Sequence, residues 1–196
     1  NNVAGNAGGG VMISSYNSVI VTNTQFISNT QLAVWGGGAF YHQGNGSITI
    51  TGAWFERNSS PNAGHPYGGG AATLGAPATI LNTSWISNST GANGGAVALG
   101  GTIRNNTFRG NSANGVGGAA YTNSTLEIIN STFTANSSAQ GSAIYNDGTM
   151  TVTNSTLSAN NGSAAGGSLY NPSGKTLYLR NTIIANSVGS NNDCEN

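Results

Sequence analysis

Gly141–Asn160 is the stretch that decides the fold, and it reads Gly-Ser-Ala-Ile-Tyr-Asn-Asp-Gly-Thr-Met-Thr-Val-Thr-Asn-Ser-Thr-Leu-Ser-Ala-Asn. It begins with a glycine corner, continues through a short apolar step, a turn and a strand of alternating residues, and ends on an asparagine. The same pattern returns about every 25 residues along the chain. A fixed period of this length indicates a solenoid, in which each repeat forms one coil and buries its apolar face by stacking on its neighbours.

The repeats align on seven closing asparagines, each of which follows a large apolar residue by three positions. Before that residue, apolar side chains alternate with threonines, as expected for a strand with one buried face. The pattern predicts an all-β solenoid of about seven coils. Asparagines in register can bond each other from coil to coil. We therefore predict an internal ladder of Asn29, Asn58, Asn88, Asn111, Asn136, Asn160 and Asn186. We predict a second ladder of Asn23, Asn82, Asn105, Asn130 and Asn154, which Gly52 interrupts.

The composition limits the classes of partner. The chain of 196 residues carries five acidic and five basic side chains, so its formal net charge is zero. It therefore has no field that would attract nucleic acid or anionic lipid, and neither is predicted as a partner. No apolar run approaches the ~20 residues of a membrane helix, so no membrane insertion is predicted. Cys194 is the only cysteine and cannot form an internal disulfide. Because the chain begins at Asn1 without a methionine, we expect a processed or excised part of a longer secreted protein.

Two repeats carry the clearest motifs, Gly94-Gly95-Ala96-Val97 with Phe108-Arg109-Gly110-Asn111 and Gly117-Gly118-Ala119-Ala120 with Phe133-Thr134-Ala135-Asn136. This pairing of Gly-Gly-Ala-apolar with Phe-x-x-Asn resembles the repeat of bacterial polymorphic outer-membrane proteins and related right-handed parallel β-helix surface proteins. The resemblance covers nearly the whole chain. It implies a right-handed parallel β-helix in which residues 1–196 form a single domain. It also implies export and surface display, commonly as an adhesin or a stalk.

An enzymatic site is not predicted. Parallel β-helices also include polysaccharide lyases and hydrolases, which need paired carboxylates or clustered acidic ligands for Ca²⁺. Glu56, Glu127 and Asp147 fall at different positions of the repeat, so no two of them are expected to converge. His42 and His65 are expected in exposed loops, without a carboxylate that would complete a metal site. We therefore predict no catalytic, cofactor-binding or metal-binding residue, and no cofactor.

Two surface features are candidate contacts. Four tyrosines are predicted to point outward in one column, which Thr73 and Ala98 interrupt: Tyr41, Tyr121, Tyr145 and Tyr170. Exposed tyrosines suit sugar rings because each offers an apolar face and a hydroxyl; the alternative is that they pack under a turn or against a neighbouring chain. The longest insertion, 59–67, contains His65 and Tyr67 and is the first candidate for a partner-specific contact. An outward threonine column is similar in composition to an ice-binding face, but charged residues break it.

The function that the sequence favours is a non-enzymatic structural or adhesive element of a bacterial cell surface, extracellular in location. The first coil begins at once with repeat-like sequence. The expected partners of the protein are therefore other copies of itself or the rest of its parent chain. End-to-end stacking of copies would produce a filament. Surface glycans are a further expected partner. Two alternatives stay open: a carbohydrate-binding module that uses the tyrosine column, and a β-helix of the polysaccharide lyase or hydrolase type.

Overall fold

The computed structural model describes residues 1–14, 17–65, 68–163, 166–189 and 192–195. Within these ranges the chain consists of strands, turns and corners, with no helix. Its 29 strands form four parallel sheets that stack into a β-solenoid of about seven coils. The predicted parallel β-helix is therefore confirmed.

Each complete coil contributes four short strands. The chain enters through β1 (Val3–Ala4), and coil one contains β2 (Val11–Ser14), β3 (Val19–Thr22), β4 (Gln25–Ile27) and β5 (Thr30–Gln31). Coil two contains β6 (Phe40–Gln43), β7 (Ile48–Thr51), β8 (Trp54–Glu56) and β9 (Ser59–Ser60). Coil three contains β10 (Ala72–Leu74), β11 (Ala78–Leu81), β12 (Ser84–Ile86) and β13 (Ser89–Thr90). Coil four contains β14 (Val97–Ala98), β15 (Gly101–Arg104), β16 (Thr107–Arg109) and β17 (Ser112–Ala113).

The remaining coils repeat this order. Coil five contains β18 (Ala120–Thr122), β19 (Thr125–Ile129), β20 (Thr132–Thr134) and β21 (Ser137–Ser138). Coil six contains β22 (Ile144–Asn146), β23 (Thr149–Thr153), β24 (Thr156–Ser158) and β25 (Asn161–Gly162). Coil seven contains β26 (Leu169–Tyr170), β27 (Thr176–Arg180) and β28 (Ile183–Ala185), and β29 (Cys194–Glu195) begins an eighth coil. The first strands of the coils, with β29, form sheet I. The second strands form sheet II, the third form sheet III, and the fourth, with β1, form sheet IV.

Alternation along the strands builds the core. In sheet II, Ile48 and Ile50 are buried, whereas Thr49 and Thr51 between and after them are half-buried at the surface. Because every strand pairs with its equivalent one coil away, the inward residues stack in register; Ile50, for example, pairs with Ile80. The core is therefore a set of apolar columns that run along the solenoid axis.

Sheet III carries the largest column, a stack of aromatic rings. Ring centroids are 4.7 Å apart for Phe26 and Phe55, 4.2 Å for Phe55 and Trp85, 5.7 Å for Trp85 and Phe108, and 4.5 Å for Phe108 and Phe133. The rings are nearly parallel, with interplanar angles of 9° or less. Stacking of this kind stabilises aromatic pairs beyond the area that they bury.

The closing asparagines form a buried ladder beside this stack. In each ladder asparagine from Asn29 to Asn136, the side-chain Nδ2 and the backbone N–H donate to Oδ1 of the asparagine one coil further on, at 2.9–3.0 Å. Nδ2 of Asn111 also donates to the backbone oxygen of Trp85 at 2.9 Å, and equivalent bonds recur in other coils. Each buried amide in the middle of the ladder therefore has partners for both its donors and its acceptor.

The ladder ends one member earlier than expected. The sequence predicts Asn186 as its seventh member, and this prediction is wrong. Leu157 pairs with Ile184, so the position equivalent to Asn160 is Ser187, while Asn186 is exposed at the preceding corner with a φ of 58°. Nδ2 of Asn160 donates instead to Ser168 Oγ, which lies 2.9 Å from Ser187 Oγ. Asn186 suits this corner because asparagine tolerates positive φ better than most residues.

Two corners of each coil are left-handed. Between sheets II and III, φ lies between 48° and 65° at Asn23, Gly52, Asn82, Asn105, Asn130, Asn154 and Asn181. This conformation explains the second set of asparagines better than a ladder does, since the structure gives side-chain bonds within the set at only some of its steps. Between sheets III and IV, φ lies between 51° and 65° at Ser28, Arg57, Ser87, Gly110, Ala135, Ala159 and Asn186. Several of these residues have no intrinsic preference for that region.

A further polar column follows the II–III corner, and the sequence reasoning missed it. The residue after the left-handed one is buried in the middle coils, at Thr83, Asn106, Ser131 and Ser155. Ser131 Oγ donates to the Ile129 oxygen at 2.9 Å and accepts the Asn106 N–H at 3.2 Å. The signal was the Ser, Thr or Asn that follows most asparagines of the second set.

Glycine is required where two coils touch through their backbones. A Cβ added to Gly95 would collide with the carbonyl oxygen of Gly118 in the next coil. Coil six has Ser142 at this position, which is fully buried and donates through Oγ to the Gly167 oxygen at 2.5 Å. At this position the serine side chain is accommodated by a hydrogen bond to the backbone of coil seven.

We expect Asn111→Ala to lower the free energy of unfolding by about 3 kcal/mol or more, because each buried partner left without a bond costs about 1–3 kcal/mol. Denaturant unfolding measures the change. Asn114→Ala, at an exposed position of the same coil, is the matched control and should stay within about 0.5 kcal/mol. Equal losses for the two variants would show that the ladder bonds contribute no more than a surface asparagine.

The corner between sheets III and IV offers a paired test of backbone strain. We expect Ala135→Gly to raise the free energy of unfolding by about 0.5–1 kcal/mol, and Gly110→Ala to lower it by about 1 kcal/mol, because a left-handed non-glycine residue is disfavoured. A Cβ at Gly110 meets only Ser87 Oγ, at 3.4 Å, so a steric clash does not contribute. Changes of the same sign at both positions, measured by denaturant unfolding, would contradict this explanation.

Candidate functional site

The tyrosine column of sheet I lies in register, but only part of it is exposed. Tyr41 pairs with Thr73, Thr73 with Ala98, Ala98 with Tyr121, and Tyr121 with Tyr145, which pairs with Tyr170. The prediction that all four tyrosines are exposed is wrong for two of them. Tyr41 is 7% exposed and Tyr121 is 5% exposed, whereas Tyr145 and Tyr170 are half-buried. Both of these rings line a cleft, and only small parts of them reach solvent.

The cleft occupies the gap in the tyrosine column. It has a volume of about 560 Å³, opens to solvent on one side, and contains both Thr73 and Ala98 among its lining residues, with Tyr41 before them and Tyr121 after them. Strands of a parallel sheet are about 4.8 Å apart. Two successive small residues between two tyrosines therefore leave a depression about two coils long. The interruption of the column, which argued against a continuous strip, produces the concave site.

A shortened corner deepens this depression. In coil four, Ala98 and Thr102 are separated by two residues fewer than the equivalent Tyr121 and Glu127 of coil five. The chain in coil four therefore turns early from sheet I into sheet II. Neighbouring corners project further and supply Pro77 and Ser124 to the rim.

Two insertions supply the opposite edge. The segment that follows β5 carries Trp35, and the segment that follows β9 carries His65; both side chains line the cleft. The insertions stack on each other, because the N–H groups of Gly64 and His65 donate to the Val34 oxygen at 3.2 and 3.1 Å. Trp35, 43% exposed, and His65 are in ring contact, with centroids 5.5 Å apart and a tilt of 34°. Tyr67, the other candidate in this insertion, lies outside the described residues.

The described lining of the cleft is polar and aromatic but carries no Asp, Glu, Lys or Arg. Its polar groups include the amides of Gln43, Asn45 and Asn123 and the hydroxyls of Thr73 and Ser124. Burial raises the pKa of the Tyr41 hydroxyl above its usual value, so this wall stays uncharged at neutral pH. The arrangement can bind an uncharged ligand that has both apolar faces and hydroxyl groups.

Beyond Tyr121 the column continues as stacked tyrosines beside a small charged cluster. The Tyr121 hydroxyl donates to Asp147 Oδ2 at 3.1 Å, and Lys175 Nζ lies 2.8 Å from Asp147 Oδ1. The pKa of Tyr145 is raised, first by burial and then by the negative charge of Asp147. The cluster therefore holds Tyr121 in place through its hydroxyl while the carboxylate is paired with a lysine.

His42 is a buried residue of β6 and not, as expected, part of an exposed loop. Its side chain is 1% exposed and stands in register with Ile13 and Leu74. Within the described residues, neither of its ring nitrogens has a hydrogen-bond partner. Burial lowers the pKa of the imidazole, because the charged form would lose its hydration. His42 therefore stays neutral at physiological pH.

The remaining ionisable groups are dispersed. Glu56 pairs with Arg57 on the side of sheet III, and Glu127 is exposed on sheet II. Among the described residues, no group of three or more His, Cys, Asp or Glu side chains could hold a metal ion. The same part of the chain contains no helix that is long and apolar enough to cross a membrane.

Sequence reasoning identified the tyrosines and His65, but it did not connect them. It missed Trp35 and the roles of Thr73 and Ala98, and it did not use the shorter coil four. The signal was present as departures from the repeat: small residues in an aromatic column, a shortened corner and two insertions on the same side of adjacent coils.

The neutral, buried His42 predicts a loss of stability in acid. Its pKa in the unfolded chain is about 6.5 and is lower in the folded protein, so the unfolded state binds the proton more readily. The free energy of unfolding should therefore fall as pH decreases from 7.5 to 5.5, by up to about 1.4 kcal/mol per pH unit. We expect His42→Leu to remove this slope, measured by denaturant unfolding at several pH values.

The matched control for this pH dependence is His65→Ala, which leaves the buried imidazole in place and should keep the slope. Leucine fits the substituted position because Leu74 occupies the same column one coil away. A slope that persists in His42→Leu would assign the acid sensitivity to other groups.

No protein-family model, curated protein or solved structure matches this chain.

Proposed function

We propose that this chain is a non-enzymatic structural and adhesive β-helix of a bacterial cell surface, and that it binds surface glycans in the cleft of sheet I. One observation carries the proposal. The chain departs from its repeat by the small residues Thr73 and Ala98, by the shortened corner of coil four, and by the insertions that present Trp35 and His65. All of these departures border the same cleft. Residues that serve only stacking would have no reason to vary together at one place.

The chemistry of the cleft supports a carbohydrate as the ligand. A sugar ring has an apolar face formed by C–H groups and an edge of hydroxyls. Trp35 offers an exposed aromatic ring, Tyr41 and Tyr121 border the cleft with the small parts of their rings that reach solvent, and the surrounding amides and hydroxyls offer hydrogen bonds to the edge. The volume of about 560 Å³ is within the range of small-molecule sites and leaves room for more than one ring.

Surface location and adhesion are supported by the repeat itself. The Gly-Gly-Ala and Phe-x-x-Asn motifs resemble those of exported β-helix proteins, and a rigid solenoid is suited to hold a binding site away from the cell. A lyase or hydrolase is less well supported, because the described lining of the cleft includes no carboxylate pair for acid–base chemistry.

The structural part of the proposal concerns the two outer coils. Val11 and Leu179 face inward, since they pair with the buried Phe40 and Val152, yet both are exposed at the outer sides of coils one and seven. A further coil stacked at either side would cover these residues and continue the sheets. We propose that this coil belongs to the rest of the parent chain or to another copy, in which case copies would form a filament.

The glycan site can be tested by filling the cleft. We expect Ala98→Tyr to reduce glycan binding at least about tenfold, equivalent to about 1.4 kcal/mol, because the new ring would occupy the floor between Tyr41 and Tyr121. The fold should tolerate it, since the same column carries tyrosine in coils five to seven. A glycan array followed by calorimetric titration of the best ligand measures the effect.

Thr132→Tyr is the matched control, because it adds a tyrosine at an exposed position of sheet III, away from the cleft. It should bind glycans as the unsubstituted chain does. Undiminished binding by a folded Ala98→Tyr would remove the cleft as the site. Absence of binding by the unsubstituted chain to both neutral and acidic glycans would contradict the glycan function itself.

A further inference from the structure

Tyr121 belongs to two features at once. It forms one wall of the cleft and also begins a stack with Tyr145 and Tyr170, whose ring centroids follow at 5.9 and 5.2 Å. The stack advances by one coil at each ring and therefore runs along the solenoid axis. Tyr145 and Tyr170 remain half-exposed, so their outer edges are available to a ligand.

We infer that the ligand is a neutral, linear polysaccharide that lies along the solenoid axis, with some of its residues in the cleft and the following ones over Tyr145 and Tyr170. This inference rests on the proposed function and specifies its ligand class. It makes two separate statements, one about the charge of the sugar and one about the direction of its chain.

The charge follows from where the basic residues lie. The carboxylate of a uronic or sialic acid is bound most strongly by charge-assisted hydrogen bonds from an arginine or lysine. The described lining contains no Lys or Arg. The nearest cation to the tyrosine strip, Lys175, already pairs with Asp147 through its Nζ. The other lysine and arginine side chains lie on sheets II and III or at the corner between sheets III and IV, so a carboxylated sugar in the cleft would have no lysine or arginine partner.

The direction follows from the surroundings of the cleft. One exit crosses the shortened corner into a shallow depression lined by Thr102, Thr151 and Glu127, which has no aromatic ring. The other exit passes Tyr121 and continues over two more tyrosines. The outer ring edges of Tyr145 and Tyr170, spaced by one coil or about 4.8 Å, offer successive contacts to successive rings of a chain. The axial exit therefore provides the more favourable path.

The experiment measures binding of neutral and acidic oligosaccharides of matched length. Cello-oligosaccharides and mixed neutral glycans of two to eight residues, and oligogalacturonides of the same lengths, are presented on one array. Positive ligands are then titrated by calorimetry. We expect binding only in the neutral set, with an affinity that rises with chain length until the ligand spans the strip.

Tyr170→Ala separates the axial path from the cleft. It should weaken binding of the longest neutral ligands about three- to tenfold and leave the shortest ones unchanged, because only long chains reach coil seven. Tyr178→Ala, which removes an exposed tyrosine of the same coil on sheet II, is the matched control and should change neither.

Each outcome decides one statement. Binding of acidic ligands alone would overturn the inferred charge class while leaving a glycan site in place. Neutral binding without a length dependence, or with an unchanged affinity of long ligands for Tyr170→Ala, would overturn the axial path. Failure of both sets would contradict the proposed function and this inference together.

Discussion

The structure depends on the hydrogen bonding of one buried asparagine amide in each of coils one to six. A primary amide has two donors and an acceptor, and inside an apolar core an unpaired group is costly. Asn88, for example, is buried and uses both donors and its oxygen, because its bonds reach one coil forward and one coil back. The bonds form only when the coils are in register. The ladder therefore imposes one register on the chain, and the aromatic stack and the apolar columns follow from it.

Once the register is imposed, a coil can vary only where it does not touch the next one through its core. Outward positions and corner lengths are free, while inward positions are restricted to residues that stack. Coil four can lose two residues at one corner because the loss shortens the surface path and leaves Ile103 in register with Ile80. This separation explains how a repeat devoted to stacking can carry a site: the cleft uses positions whose substitution costs the core little.

Repetition explains why the fold could be predicted and the site could not. Features that recur in seven copies of one pattern can be distinguished from features of a single copy. The coils, their number and the inward residues of most strands could therefore be predicted from spacing. The prediction of Asn186 as a ladder residue was wrong because two neighbouring positions of the coil both favour asparagine, one for its amide and one for its tolerance of positive φ. The prediction of His42 in an exposed loop was wrong because an inward position near the end of β6 holds this polar ring. The cleft was not predicted for a different reason. It lies between coils, and its walls come from residues far apart in sequence.

The same reasoning assigns significance to what the repeat does not explain. A tyrosine in every coil of sheet I would be consistent with packing alone, since each ring could stack on the next. Thr73 and Ala98 break that column although larger residues are accommodated on both sides of them. Their neighbours, Trp35 and His65, come from insertions that are held together by backbone hydrogen bonds and a ring contact. Stability gives no reason to leave a gap and then border it with ordered aromatic side chains. A ligand in the gap would give such a reason, and a described lining without Asp, Glu, Lys or Arg is consistent with the neutral glycan that we propose.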